Sequence, residues 1–216
     1  MGIIGVITSV ELQKRNKTRV SIHVDGQYLG SVEDIVWAKS GLKTGHPLPE
    51  ELWQDMQGRQ EEAAALEKAV TRLASRARSK AEMEKYLAEK GFSESAISYA
   101  IEKLEGYGYI DDGEFARLLV RDRVNTKSIG KRSLAQELKR LGVGEEDAGQ
   151  ALSQYAQEDE LAAALRQAEK DMRRTAGEMD IRKRRAKVYN GLARRGFSGD
   201  VIEAAMAKVF SGSSEQ

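Results

Sequence analysis

The chain has 216 residues, of which 40% are hydrophobic, 32% charged and 6% aromatic. The charged fraction exceeds the ~25% of average globular domains, which favours a helical protein with much solvated surface and no single thick core. The 35 basic and 34 acidic residues give a net charge of +1, so the overall field does not steer the protein onto nucleic acid. Cysteine is absent, which excludes disulfides, cysteine-based zinc sites and a thiol nucleophile.

Hydropathy predicts where the protein resides. No apolar run approaches the ~18 residues of a membrane-spanning helix, and the N-terminus lacks the basic start and apolar core of a signal peptide. We therefore expect a cytoplasmic protein with no membrane partner. Separately, we expect a monomer.

The first part of the chain, residues 1–60, begins with strand-like alternation of apolar and polar residues. One run covers residues 6–11 and a second covers 20–24. Asp25-Gly26 follows, a pair that forms tight hairpin turns, and residues 27–32 have the pattern of the returning strand. We predict a small antiparallel sheet of about three strands in this N-terminal element.

A connecting helix is predicted after the sheet. It extends from about Pro49 to Arg76, with Gly58 as a candidate break, because proline fits the first turn of a helix. Trp37 and Trp53 are expected to anchor the packing of the sheet. His23 and His46 lack a third ligand, so no metal site is expected at either.

The rest of the chain is predicted to be helical, and its pattern occurs three times. Each copy has a helix, a second helix that ends at a glycine (Gly91, Gly142 or Gly196), and a third helix. Glycine directly after a helix is typical of a left-handed C-cap. We therefore predict a mainly α fold of three tandem three-helix repeats in an elongated curved array, with a small N-terminal antiparallel β element. The predicted bounds are 61–110 for repeat 1, 111–157 for repeat 2, 158–210 for repeat 3 and 211–216 for a disordered tail.

Polar residues at predicted helix starts are interpreted as caps. Ser79 and Glu82 have the spacing of a capping box. Asp111 and Asp112 suit the first turn of a helix, where carboxylates accept from unpaired N–H groups, and this role is favoured over metal binding. Tyr107 and Tyr109 are expected to pack between repeats.

The string at residues 108–117, GYIDDGEFAR, resembles the RecX family of bacterial regulators of the RecA recombinase. That family has the pattern GYLDDxxFAxxLVxxR, then a glycine-containing linker and IxxELxxxGI. This chain continues with Leu119-Val120 and Arg123, and later with LAQEL and Gly142-Val143. The resemblance covers about residues 62–210. Its linker, residues 127–131, lacks the aromatic residue and proline often found there.

The resemblance implies a regulatory protein that binds RecA and RecA–DNA filaments. It implies inhibition or modulation of RecA ATPase, recombination and SOS co-protease activity in DNA repair. We hypothesise that the repeats lie in the filament groove across neighbouring subunits. The family has no widely shared catalytic residues, so we expect no enzyme activity, no cofactor and no metal.

Basic residues of repeats 2 and 3 are the candidate contacts with RecA or DNA. On the helix that begins near Phe115, a spacing of 100° per residue places Arg117 and Arg121 on the solvated face, opposite an apolar arc that includes Leu118. Asp122 falls within that arc and needs a partner such as Arg123. A charged run is also typical of a merely solvated face, and that interpretation stays open. The candidates are Arg117, Arg121, Lys127, Lys131 and Arg132 in repeat 2, and Arg182, Lys183, Arg184, Arg185 and Lys187 in repeat 3.

Two other functions are alternatives. The first is a sequence-nonspecific DNA- or RNA-binding helical module, because three-helix units read nucleic acid in other proteins and repeat 3 is basic; weak direct DNA binding is compatible with either function. The second is a nuclease that uses Asp111 and Asp112, which is disfavoured because no second acidic cluster completes a two-metal site.

Overall fold

The structure is a computed structural model that describes residues 2–211. Over those residues the chain forms four strands and ten helices in a β-then-α order. The strands are β1 (Ile3–Leu12), β2 (Arg19–Val24), β3 (Gln27–Glu33) and β4 (Pro47–Pro49). The helices are α1 (Asp34–Ser40), α2 (Glu50–Leu73), α3 (Lys80–Glu89), α4 (Glu94–Gly106), α5 (Asp112–Thr126), α6 (Lys131–Arg140), α7 (Glu145–Ser153), α8 (Gln157–Arg174), α9 (Ile181–Arg194) and α10 (Gly199–Ser211).

The N-terminal sheet is antiparallel, with strand order β3-β2-β1-β4. It has four strands instead of about three, because the start of β1 extends beyond β2 and pairs with β4. Ile3 faces Pro49 and Val6 faces Pro47 in that pairing. The two prolines indicated a break, but proline is tolerated in an edge strand because one side of the strand needs no hydrogen bonds.

One face of the sheet is covered by apolar side chains from α1 and α2. Ile7, Ile22 and Val32 are buried there, and Trp37 and Trp53 pack against them, which confirms the predicted anchoring role. The approach of α2 requires Gly30 on β3, since a Cβ at that position would lie 2.8 Å from Trp53 Cζ2. Gly58 lies inside α2, which continues without a break.

Three three-helix repeats follow, as predicted. Gly91, Gly142 and Gly196 adopt φ values of +85°, +78° and +78°, so the predicted left-handed C-caps are confirmed. The capping box is also present: the Glu82 N–H donates to Ser79 Oγ at 3.2 Å, and the Ser79 N–H donates to Glu82 Oε2 at 3.4 Å. Tyr107 and Tyr109, which are predicted to pack between repeats, are each 64% exposed.

The chain divides into two compact units. The first extends to residue 76 and resumes over 84–107, and the second comprises 77–83 and the described chain from 108 onward. Repeats 2 and 3 therefore lie in the second unit. The predicted tail at 211–216 lies, apart from Ser211 in α10, outside the described residues.

Repeats 2 and 3 join through close backbone contacts inside the second unit. The Gly130 N–H donates to the Arg195 carbonyl at 2.9 Å, and the Arg132 N–H donates to the Gly196 carbonyl at 3.1 Å. A Cβ on Gly130 would overlap the Gly196 backbone, and a Cβ on Gly196 would overlap Ser133. The two glycines therefore fix how the start of α6 meets the end of α9.

No helix within residues 2–211 has the length and apolar character needed to cross a lipid bilayer.

Candidate functional site

The basic candidates on α5 differ in their freedom to contact a partner. Arg121 is exposed, whereas Arg117 is held by Glu114, with Nη2 2.8 Å and Nε 2.9 Å from Oε2. The apolar arc is also rotated from the one predicted, because Leu118 is 47% exposed while Val120 is buried. Arg121 is therefore the accessible cation of this helix.

The rotation moves Asp122 and Arg123 as well. Asp122 is exposed instead of buried, and its Oδ2 accepts from Arg123 Nη1 at 2.6 Å, so the predicted partner is correct but the burial is not. The Arg123 guanidinium also spans to Glu137 on α6, with Nη2–Oε1 at 2.8 Å and Nε–Oε1 at 3.0 Å. The hydrogen bond from Arg123 lowers the pKa of Glu137 below its usual range, and its counterpart raises the pKa of Arg123. This charged, partly buried pair fastens α5 to α6.

Lys131 is half-buried and serves the junction between repeats 2 and 3. Its backbone N–H donates to Glu160 Oε1 at 2.9 Å, and its Nζ lies 5.9 Å from the centre of the Tyr155 ring. The Tyr155 hydroxyl donates to the Ile129 carbonyl at 3.1 Å, and burial raises the pKa of Tyr155 to about 12. Lys127 and Arg132, on either side of this junction, are exposed.

The helix start at α9 displays two free cations. Asp180 is the N-cap, and its Oδ1 accepts from the backbone N–H groups of Arg182 at 2.8 Å and Lys183 at 3.3 Å. Both side chains are exposed and form no ion pair with any described residue.

The other three candidates on α9 have intramolecular partners. Arg184 is half-buried, and its Nη2 donates to the Met172 carbonyl at 3.0 Å, so it satisfies the end of α8. The Arg185 guanidinium lies over the Phe210 ring, 4.9 Å from its centre. Lys187 Nζ lies 2.6 Å from Glu178 Oε2, and this hydrogen bond lowers the pKa of Glu178. Arg184 is therefore a packing residue, while Arg185 and Lys187 retain exposed charge.

Sequence reasoning missed the full extent of the α9 charge. Residues 181–195 contain seven Arg or Lys and no Asp or Glu. A search for acid-free windows, instead of dense basic clusters, would have extended the candidate to Arg194. An open cleft of about 720 Å³ lies beside this helix and is lined by Arg174, Thr175, Lys187, Asn190, Ala193 and Arg194.

The acidic pair at the start of α5 is occupied by helix capping. Asp111 Oδ1 accepts from the Glu114 N–H at 2.8 Å, and Asp112 Oδ1 accepts from the Lys80 N–H at 2.8 Å. Asp111 thus caps α5, as predicted, whereas Asp112 lies in the first turn of α5 but accepts from the first N–H of α3. No group of three His, Cys, Asp or Glu in the described chain is arranged to hold a metal ion.

Models of the RecX family match four segments of the chain. They are described as the regulatory protein RecX N-terminal domain (residues 5–48) and the first, second and third RecX three-helix domains (residues 65–104, 111–152 and 158–206).

Relatives and solved structures agree with these matches. The regulatory protein RecX of Bacillus licheniformis is 34% identical over 93% of this chain and 76% of its own length. The protein of the same name from Bacillus pumilus is 34% identical over 97% of this chain and 80% of its own length. A crystal structure of a regulatory protein RecX has a TM-score of 0.72 at 31% identity, covering 93% of this chain and 98% of that one. RecX from Lactobacillus salivarius has a TM-score of 0.64 at 26% identity, covering 68% and 96%. Because family models match most of its length and curated relatives exceed 30% identity, this chain belongs to the RecX family of regulatory proteins.

Proposed function

We propose that this protein binds RecA and RecA–DNA filaments and inhibits or modulates RecA ATPase, recombination and co-protease activity. It acts by lying in the filament groove across neighbouring subunits, without a catalytic step of its own. Family membership supports the regulatory role, and the string at 108–117 supports RecA as its target.

The observation that carries the proposed contact is the acid-free α9, with seven cations in residues 181–195. We assign the main contact to the exposed side chains of Arg182, Lys183, Arg185 and Lys187, here called the α9 basic surface. Arg121, Lys127 and Arg132 are the corresponding exposed contacts of repeat 2. These positively charged side chains attract acidic protein surfaces and nucleic-acid phosphates alike, because both are negatively charged.

The direct test is single-stranded-DNA-dependent ATP hydrolysis by the cognate RecA, titrated with the full chain. We expect hydrolysis to fall at protein concentrations too low to coat the DNA. Combined Arg182→Gln and Lys183→Gln substitutions should raise the concentration needed for half inhibition. As a control, Lys68→Gln and Lys85→Gln at exposed positions of repeat 1 remove the same amount of charge elsewhere. This control should leave the concentration needed for half inhibition unchanged. Unaltered inhibition by the α9 variant would show that this surface is misassigned.

The same helix favours a second function, a sequence-nonspecific nucleic-acid-binding module. Titration of bare DNA at several salt concentrations separates the two, because direct phosphate binding weakens steeply with salt through counterion release. Inhibition that appears only once the DNA is saturated would favour the nucleic-acid module over the RecA regulator.

A further inference from the structure

The N-terminal sheet has a second face that the α1–α2 packing does not cover. Strand pairing places Ser9 opposite His23, and His23 opposite Tyr28. Farther along the same face, Ser21 lies between Glu11 and Ser31. This outer face therefore carries small polar residues and two aromatic rings, unlike the buried aliphatic face behind it.

The two rings form a fixed pair. His23 and Tyr28 meet edge to face, with centroids 5.6 Å apart and planes inclined by 66°. Ser9 Oγ lies 3.1 Å from His23 Nδ1 and orients the imidazole. Tyr28 nevertheless remains 59% exposed, so a flat ligand can stack on it. A large exposed aromatic held in place by neighbours is a feature of base-stacking platforms.

One end of this face carries a cluster of cations with two carboxylates beside it. Glu33 lies opposite Arg19, and the Asp34 N–H donates to the Thr18 carbonyl at 2.9 Å. Residues 12–24 contain four Arg or Lys and no Asp or Glu. Lys14, Arg15 and Lys17 lie in the β1–β2 hairpin loop, are exposed, and form no ion pair within the described chain. The loop has a defined shape, because Asn16 Oδ1 accepts from the Thr18 N–H at 3.1 Å and from the Thr18 hydroxyl at 2.7 Å.

The basic loop and the aromatic pair lie on one path. β2 begins at Arg19, next to the loop, and reaches His23 four residues later, a distance of about 13 Å along a strand. A nucleic-acid strand whose phosphates bind at the loop can therefore direct its bases across the serine-lined face toward Tyr28. Glu11, opposite Ser21, and Glu33, opposite Arg19, are carboxylates on this path.

We propose that the N-terminal sheet is a binding platform for single-stranded nucleic acid, with phosphates at Lys14, Arg15 and Lys17 and a base stacked on Tyr28. The site lies in the first unit, on different elements from the α9 basic surface, and its operation does not depend on RecA. Sequence preference is weak, because stacking on an aromatic ring is open to every base.

The test measures binding of the full chain to fluorescein-labelled oligo(dT) and oligo(U) by fluorescence anisotropy, over a series of salt concentrations and without RecA. The two oligonucleotides distinguish DNA from RNA as the source of the strand. Tyr28→Ser should weaken binding by about 5- to 100-fold, whereas Tyr28→Phe keeps the ring and should retain the affinity.

The loop is tested by replacing Lys14, Arg15 and Lys17 together with Gln. The slope of log affinity against log salt should then fall by about 2, since three phosphate contacts on a single strand are lost. A control with the exposed lysines Lys39, Lys43 and Lys68 changed to Gln has the same net charge and should keep the slope. Glu11→Gln should tighten binding, a gain that misfolding does not produce.

Photocrosslinking of a 5-iodouracil oligonucleotide supplies a positional readout. We expect the crosslinked peptide to contain Tyr28 or His23. The proposal is overturned if neither oligonucleotide binds the native protein, if Tyr28→Ser and the loop variant bind with unchanged affinity and slope, or if crosslinks fall only in repeat 3. RecA inhibition measured on the same variants is a separate readout, so either hypothesis can fail alone.

Discussion

Two glycines at equivalent positions allow the junction between repeats 2 and 3 to be tested in isolation. Gly91 follows α3 with φ +85°, and Gly196 follows α9 with φ +78°, so alanine is equally strained at both. Their surroundings differ. A Cβ at Gly91 meets no heavy atom within 4 Å, whereas a Cβ at Gly196 overlaps the Ser133 backbone nitrogen and lies 2.8 Å from Ser133 Cβ.

The difference sets the expected magnitudes. Gly91→Ala should lower the free energy of unfolding by roughly 1 kcal/mol, the penalty for placing alanine in the left-handed conformation. Gly196→Ala adds overpacking of about 1–3 kcal/mol and weakens the hydrogen bond from the Arg132 N–H to the Gly196 carbonyl, worth about 1 kcal/mol. We expect Gly196→Ala to be the more destabilising by about 2–4 kcal/mol. With a urea dependence of about 2 kcal/mol per molar, that is a midpoint difference of about 1–2 M.

The assay is urea unfolding followed by far-ultraviolet circular dichroism and by tryptophan fluorescence. Both tryptophans, Trp37 and Trp53, belong to the first unit, which also holds Gly91. Gly91→Ala should therefore shift the fluorescence transition slightly, while the Gly196→Ala effect should appear in the dichroism signal of the second unit. Equal destabilisation by the two variants would refute the close contact between the end of α9 and the start of α6.

Three further predictions concern other contacts. A double-mutant cycle of Arg123→Gln and Glu137→Gln should give a coupling free energy of roughly 1–2 kcal/mol in urea unfolding. Because the pKa of Glu137 is lowered in the folded state, this stabilisation is complete above the unfolded pKa near 4.5 and disappears as the pH falls through the folded pKa. A coupling that persists in acid would contradict this prediction. Gly30→Ala should destabilise the first unit by about 1–3 kcal/mol and shift the Trp53 emission, whereas Gly58→Ala, which meets open space inside α2, should be neutral or stabilising. Arg184→Gln should lower the melting temperature, whereas Arg182→Gln should leave it unchanged and reduce RecA inhibition; the reverse pattern would show that the packing and contact roles are exchanged.

The sequence alone was sufficient to predict features whose conformation is set by neighbouring residues. The roles of glycine after a helix, of the Ser79–Glu82 pair and of Asp111 at the start of α5 are set within a few residues, and each was confirmed. It was insufficient where burial depends on a partner remote in the chain. On α5, Ala116 and Val120 are buried instead of Leu118, since they belong to a core cluster with Leu134 and Leu138 of α6, which no helical period within α5 reveals. Similarly, β4 forms because the start of β1 extends beyond β2 and pairs with it. The two prolines of β4 instead indicate a break when the sequence is considered alone.

For the candidate site, the sequence predicts where the basic residues cluster but not which of their side chains are exposed. All five cations of residues 182–187 are alike in sequence. Arg184, however, is half-buried and donates to the Met172 carbonyl, while the other four are exposed and Lys187 also pairs with Glu178. Arg184 lies at the end of α8, where it adds a donor for the Met172 carbonyl, while the Thr175 hydroxyl bonds the Asp171 carbonyl.

The basic start of α9 has a structural origin in how each repeat begins its middle helix. α3 and α6 start three residues before the buried Met83 and Leu134, and their first N–H groups donate to carboxylates of the following repeat, Asp112 and Glu160. α9 starts seven residues before the equivalent Val188, one additional turn, and Asp180 caps it locally. Arg182 and Lys183 in this additional turn are exposed. An exposed turn is kept polar for solubility, but solubility alone is indifferent to the sign of the charge. The choice of Arg182 and Lys183, with no acid before residue 195, therefore favours a negatively charged partner over simple capping.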